Sequence, residues 1–233
     1  MIIFFFLQNF FNMKNIEISE KLKKLYPAIA LYCIDCEIVV SENTELLWLE
    51  IEKRVAVLEK NLKTSDLPHL KPIEDSRSAY RAFGKEPARY RLSAEALLRR
   101  IIQGKGLYKI NNIVDITNYI SLMHYFSIGT YDSTKIEGNV TFTQGTANEE
   151  YNTIGRGIIN IENLPVFADS IGSFGNPTSD SARTCIQPES TKMLMSIISF
   201  GGNYEELTVA GEFAIDLLKK YAAAKNISTK IVE

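Results

Sequence analysis

Apolar residues recur along this chain with two periods, and each period marks out its own elements. Helical spacing puts Leu47, Ile51, Val55, Leu58 and Leu62 on one stripe. Asn43 is placed to cap that helix, and the prolines at positions 68 and 72 to break the chain after it. Further helices are expected over residues 73–83, stopped by Gly84, and over 94–103, capped by Ser93 and ended by Gly104. Residues 112–124 follow with Ile113, Ile116, Ile120 and Met123 on one face. Residues 205–224 carry Leu207, Ala210, Ala214, Leu217 and Tyr221 inward. Strand-type runs occupy residues 14–19 and 28–40, with a brief helix between them that Ser19 caps and that ends before Pro27. After Asp132 strands dominate: residues 135–143 around a Gly138–Asn139 turn, then 158–162, 166–169, 183–187 and 193–200. Residues 169–183, rich in Gly, Ser and Asp, form a long loop of the kind that covers a site.

The stretch MIIFFFLQNFF at the N-terminus is shorter than the roughly 20 apolar residues a bilayer-spanning helix needs. It also lacks the basic flank and small-residue cleavage site of a signal peptide. Residues 1–12 are therefore expected to be a hydrophobic tail or a start-site artefact, with translation beginning at Met13. Residues 13–70 read as a βα appendage packed on a core formed by residues 71–233.

With 45% hydrophobic residues the chain can bury a sizeable core, while a net charge of −2 excludes binding driven by overall basic charge. No membrane or DNA partner is expected. Cys33, Cys36 and Cys185 are too few for a disulfide framework, which points to a cytoplasmic protein. Cys33 and Cys36 lie in a strand-like run, with no second cysteine pair, and His69 and His124 are isolated. No metal or organic cofactor is expected.

Two local patterns change the picture. Between Arg77 and Lys109 the chain holds Arg77, Arg81, Lys85, Arg89, Arg91, Arg99, Arg100, Lys105 and Lys109 against only Glu86 and Glu95, with Tyr80, Tyr90 and Tyr108 interleaved. A local basic patch dotted with aromatic side chains suits RNA phosphates and bases. Next to it, Asn111, Asp115, Asn118 and Ser121 fall at i, i+4, i+7 and i+10 on one helix face. Amides, a carboxylate and a hydroxyl suit the fixing of a polar ligand or of a neighbouring loop. For Asp115, with Asn112 as the helix cap, satisfying free N–H groups of the first turn is the alternative role.

The stretch RSAYRAFGKEPARYRLSAEALLRRIIQGKGLYKINNIVDITNYISL, with the later GTYDSTKIEG, resembles the B3/B4 domain of the phenylalanyl-tRNA synthetase β subunit. It is most similar to the free-standing B3/B4 proteins, and the similarity is strongest over residues 76–200. The resemblance implies an α+β fold: a three-layer domain with a mixed or antiparallel β-sandwich-like core flanked by helices. It also implies a pocket that inspects the aminoacylated 3′ end of tRNA and hydrolyses a wrongly attached amino acid. Where the synthetase has GQPLHAFD, this chain has FSIGTYD, so the histidine associated with editing aligns with Gly129 while Asp132 is kept. A glutamate that reads the tyrosine hydroxyl aligns with Ile197. The fold is expected to carry over and the tyrosine specificity is not.

No nucleophile elbow or Ser-His-Asp order is present, so ester hydrolysis would proceed by positioning a water and stabilising the oxyanion. Asn111, Asp115 and Asn118 are the candidates for that task. Ser121, Gly129, Asp132, Asp180, Arg183 and Thr184 are expected to line the substrate pocket. Arg81, Arg89, Arg91, Arg99, Arg100 and Lys105 are expected to hold RNA. The expected function is a trans-acting aminoacyl-tRNA deacylase. The alternatives are a non-catalytic module that binds tRNA or an amino acid, and a hydrolase of small amino-acid esters or amides.

Overall fold

The computed structural model describes residues 13–42, 44–155 and 157–233. The proposed tail at residues 1–12 and the expected cap Asn43 lie outside the described residues. In chain order the elements are β1 (Ile16–Ile18), α1 (Glu20–Leu25), β2 (Ala30–Glu37), α2 (Glu45–Asn61), α3 (Lys71–Ala82), α4 (Ser93–Ile102), α5 (Asn112–His124) and β3 (Ser127–Asp132). They continue with β4 (Val140–Gln144), β5 (Glu150–Thr153), β6 (Gly157–Asn160), β7 (Pro165–Ala168), β8 (Ser173–Gly175), β9 (Lys192–Ser199), α6 (Tyr204–Ala222) and β10 (Lys225–Val232).

The strands form two four-stranded sheets, ordered β1-β4-β7-β8 and β10-β2-β9-β3, and a separate β5-β6 hairpin. Among the described residues only β1 and β4 pair in parallel; the other strand pairings are antiparallel. Ile16, Ile18, Leu31, Cys33, Tyr131, Phe142, Phe167, Phe174, Leu194 and Ile198 fill the space between the two large sheets. On the other face of the second sheet, Tyr32, Ile34, Cys36, Met195 and Ile197 pack beneath α2, α5 and α6. Sheet, sheet and helices make the three layers of an α+β sandwich.

Strand β2 explains its own sequence. Buried from Ala30 to Cys36, it contributes alternate residues to each core, so the run ALYCIDC has no solvent face. Cys33 points between the sheets and Cys36 under the helices. Burial pushes both thiols up to about 12. Helix α6 comes down onto this strand at Gly211, where a Cβ would lie 2.3 Å from the Tyr32 ring.

The position of β2 overturns the expected division of the chain. Residues 13–70 are not an appendage, because β1 extends one sheet and β2 sits inside the other, between β10 and β9. Both strands need partners more than a hundred residues away, such as Val140 for Ile16 and Ser199 for Ala30, which local periodicity does not reveal. Residues 183–187, expected as a strand, form none, whereas β3, β5, β8 and β10 lie where no strand was expected.

Candidate functional site

Helix α5 is held at its N-terminus by side chains. Asn111 is the cap, one residue earlier than expected, its Oδ1 accepting from Val114 N at 2.9 Å. Asn112 is turned inward. It donates to the carbonyls of Val39 and Tyr221, each at 2.8 Å, and accepts from Ser41 N. Asp115 is 1% exposed and accepts from Trp48 Nε1 at 2.6 Å and from Ile110 N at 3.2 Å. Burial raises its pKa against the pull of these bonds and of Thr44 and Lys109. Asp115 thus ties α5 to α2 and to the preceding turn, and its hydrogen bonds are spent inside the fold. Ser121 is buried as well.

Asn118 differs. It is half-buried, and its amide makes no hydrogen bond among the described residues. One position earlier, Thr117 Oγ1 donates to Ile113 O and lies 2.9 Å from Thr130 Oγ1 on β3, fixing the helix against the sheet. One turn before Asn118 on the same face, Val114 lines a groove with a volume of about 420 Å³. Its lining is largely apolar: Val40, Ile110, Val114, Ile154 from the β5–β6 hairpin, Ile186 and Pro188. Asn111, Ser41, Glu42, Cys185 and Gln187 add polar groups around it. The size suits a small organic moiety, and the α5 N-terminus at its edge favours negative charge.

The other expected pocket residues hold the long loop rather than line this groove. Asp132 caps the turn after β3, accepting from Thr134 N and Oγ1, and accepts from Ser190 Oγ at 2.6 Å. Burial alone would raise its pKa, but the bonds from Ser190 and Thr134, with Lys135 nearby, hold it below the ordinary value. Arg183 forms a two-pronged pair with Asp169, at 3.0 and 2.9 Å, and donates to the carbonyls of Lys135 and Gly172. Thr184 is fully buried and donates to Phe174 O. Asp180 accepts from Tyr131 Oη at 3.0 Å. The Tyr131 ring has room only because Gly129 and Gly175 lack side chains: a Cβ on either would lie 2.0 or 2.3 Å from the Tyr131 hydroxyl oxygen. Gly129 is therefore a packing requirement of Tyr131. Cys185–Pro188, which the loop delivers to the groove, were missed by sequence reasoning, as were Val114 and Ile154. Their apolar side chains read as ordinary core.

The basic segment also divides. Glu95, 1% exposed in the first turn of α4, accepts from Arg77 at 3.0 Å and Arg99 at 2.9 Å, with Arg91 Nε at 4.0 Å. Arg91 and Arg99, expected to face RNA, neutralise this buried carboxylate. Arg100 donates to the carbonyls of Gly106 and Lys105 and lies over the Tyr108 ring. Arg81, Arg89 and Lys105 remain exposed and make no ion pair among the described residues. Arg89 and Lys85 both lie over the Tyr90 ring.

A β-sandwich roofed by helices, with a groove opening beside the N-terminus of a roof helix, defines an α+β sandwich domain. The B3/4 domain family model matches residues 75–223, well over half of the chain, and the chain belongs to that family. A curated relative, the phenylalanine–tRNA ligase beta subunit of Fusobacterium nucleatum, is 40% identical over 57 residues, which are 24% of this chain and 7% of the relative. An N-terminal fragment of the phenylalanyl-tRNA synthetase beta subunit from Pyrococcus horikoshii is 14% identical with a TM-score of 0.48, over 94% of this chain and 50% of that one. No helix among the described residues is long and apolar enough to cross a membrane.

Proposed function

We propose that this protein is a trans-acting aminoacyl-tRNA deacylase that removes a wrongly attached amino acid from tRNA in the cytoplasm. The observation that carries the reading is the groove at the α5 N-terminus, with the unpaired Asn118 amide one turn further along the same helix face. The amino-acid side chain occupies the apolar part of the groove. A water attacks the ester carbonyl carbon, the bond to the ribose oxygen breaks, and the tRNA leaves with its hydroxyl restored. The Asn118 amide donates to the carbonyl oxygen as negative charge develops there. No side chain has to act as nucleophile, in keeping with the engagement of Asp115, Asp132 and Asp169 in internal hydrogen bonds. That same engagement favours a second reading, a module that binds charged tRNA or an amino acid without hydrolysing it.

Hydrolysis of a mischarged tRNA by the wild-type protein separates the two, and Asn118→Ala tests the role of the amide. Removing one oxyanion donor typically costs about 100-fold in kcat. The deacylase reading predicts a loss of that order with the unfolding midpoint unchanged, since Asn118 makes no internal bond. Hydrolysis by the variant at the wild-type rate would contradict the role given to Asn118.

A further inference from the structure

The turn between α4 and α5 is built to present one aromatic ring. Gly104 and Gly106, at φ of +67° and +57°, fold residues 103–106 back on the end of α4. Arg100 closes the fold, with Nε donating to Gly106 O at 2.7 Å and Nη2 to Lys105 O at 3.2 Å. At the far end the turn is tied down by Ile110 N, which donates to the buried carboxylate of Asp115. Between these anchors stands Tyr108, 67% exposed, with the Arg100 guanidinium carbon 4.1 Å from its ring centroid. A guanidinium locked by two hydrogen bonds holds the ring from one side. Lys105, exposed and with no ion pair among the described residues, lies three positions before Tyr108, Lys109 Nζ lies over the Trp48 ring, and residues 103–110 include no acidic residue.

We propose that Tyr108 is a stacking platform for an unpaired RNA base, with Lys105 taking an adjoining phosphate. Burying a large aromatic side chain elsewhere would stabilise the fold, so an exposed ring braced by a fixed cation points to a flat partner. The placement names which base. Ile110 and Asn111 line the groove, and two residues of chain, at most about 7 Å, separate Tyr108 from Ile110. A terminal base stacked on Tyr108 leaves the ester on its ribose within reach of the groove mouth. This rests on the deacylase or tRNA-binding reading of that groove and adds the residue that docks the 3′ end.

The test is binding of uncharged tRNA, intact and with the unpaired 3′ nucleotides removed, to wild type and to Tyr108→Ala, Tyr108→Phe and Tyr108→Trp. For intact tRNA the platform predicts about ten-fold weaker binding by Tyr108→Ala and wild-type affinity, within about two-fold, for the Phe and Trp variants. On trimmed tRNA the Ala variant and wild type converge. Equal affinity of Tyr108→Ala and wild type for intact tRNA overturns the platform and leaves the groove reading standing. So does an equal loss in all three variants, or a loss that persists on trimmed tRNA. Failure of wild type itself to bind tRNA overturns both.

Discussion

Asp180 is a residue whose chemistry departs from its sequence context. It sits in a loop of small polar residues, yet burial pushes its carboxyl up to about 7, against the lowering effect of the hydrogen bonds from Tyr131 and from the Asn176 backbone. Around it Asn176 donates to Tyr151 Oη, Tyr151 donates to Ser179 O, and Tyr80 meets Thr178. The folded protein therefore retains a proton on Asp180 that the unfolded chain gives up near pH 4. Stability is fullest below that pH, falls as pH rises towards about 7, and is level above it. Asp180→Asn keeps an acceptor for Tyr131 and removes the ionisation. It is expected to flatten this fall and to exceed wild type at pH 8 by about 2–4 kcal/mol, measured by urea unfolding across pH. A variant that retains the wild-type slope between pH 4 and 7 would show that another group is responsible. Gly129 carries a lesson at the same scale. In the sequence it marks a missing histidine, and in the structure it makes space for Tyr131, whose hydroxyl supports Asp180.

Among the elements, α4 shows how a charge pattern misleads. The sequence displays its arginines as a basic face, but Glu95, a single acidic residue, is buried and draws Arg77, Arg91 and Arg99 onto itself. Glu95→Gln leaves those guanidinium groups without their shared carboxylate and is expected to cost about 3 kcal/mol. The check is a lower urea midpoint at an unchanged slope, and an unchanged midpoint would mean the cluster contributes nothing. Helix α5 was legible because its apolar face and its polar stripe both follow the helical period. What its sequence does not distinguish is a polar residue bonded internally, such as Asp115 to Trp48 sixty-seven positions away, from one left free, such as Asn118. The strands beyond the helices were less legible. β10, KNISTKIV, lies at a sheet edge with mostly exposed side chains and shows no continuous apolar run. β3 is short, with a glycine inside it, and β8 spans only three residues.

At the scale of the whole molecule, the sandwich and its helical roof set the groove where it is. Sheet β10-β2-β9-β3 carries α5 through the Thr117–Thr130 contact, α2 fixes the α5 N-terminus through Trp48 and Asp115, and the Arg183–Asp169 staple steadies the loop that supplies Cys185–Pro188. Residues 13–70 belong to this support, which is why a boundary at residue 70 cuts through both sheets. The periods marked individual helices and strands, the α+β class came from the family resemblance, and the layer order follows from the long-range pairing of β1, β2 and β10. For the proposed deacylase, the groove's apolar lining would favour discrimination by size and shape, a mode that separates substrates differing by one methylene by about 10–200-fold. The most direct measurement is the rate of deacylation of a panel of correctly and wrongly charged tRNAs by the wild-type protein at catalytic concentration. The account predicts turnover of at least one mischarged tRNA well above its rate in buffer, with its cognate form spared. If every member of the panel decays at its buffer rate, the deacylase reading is contradicted and the groove belongs to a binding module.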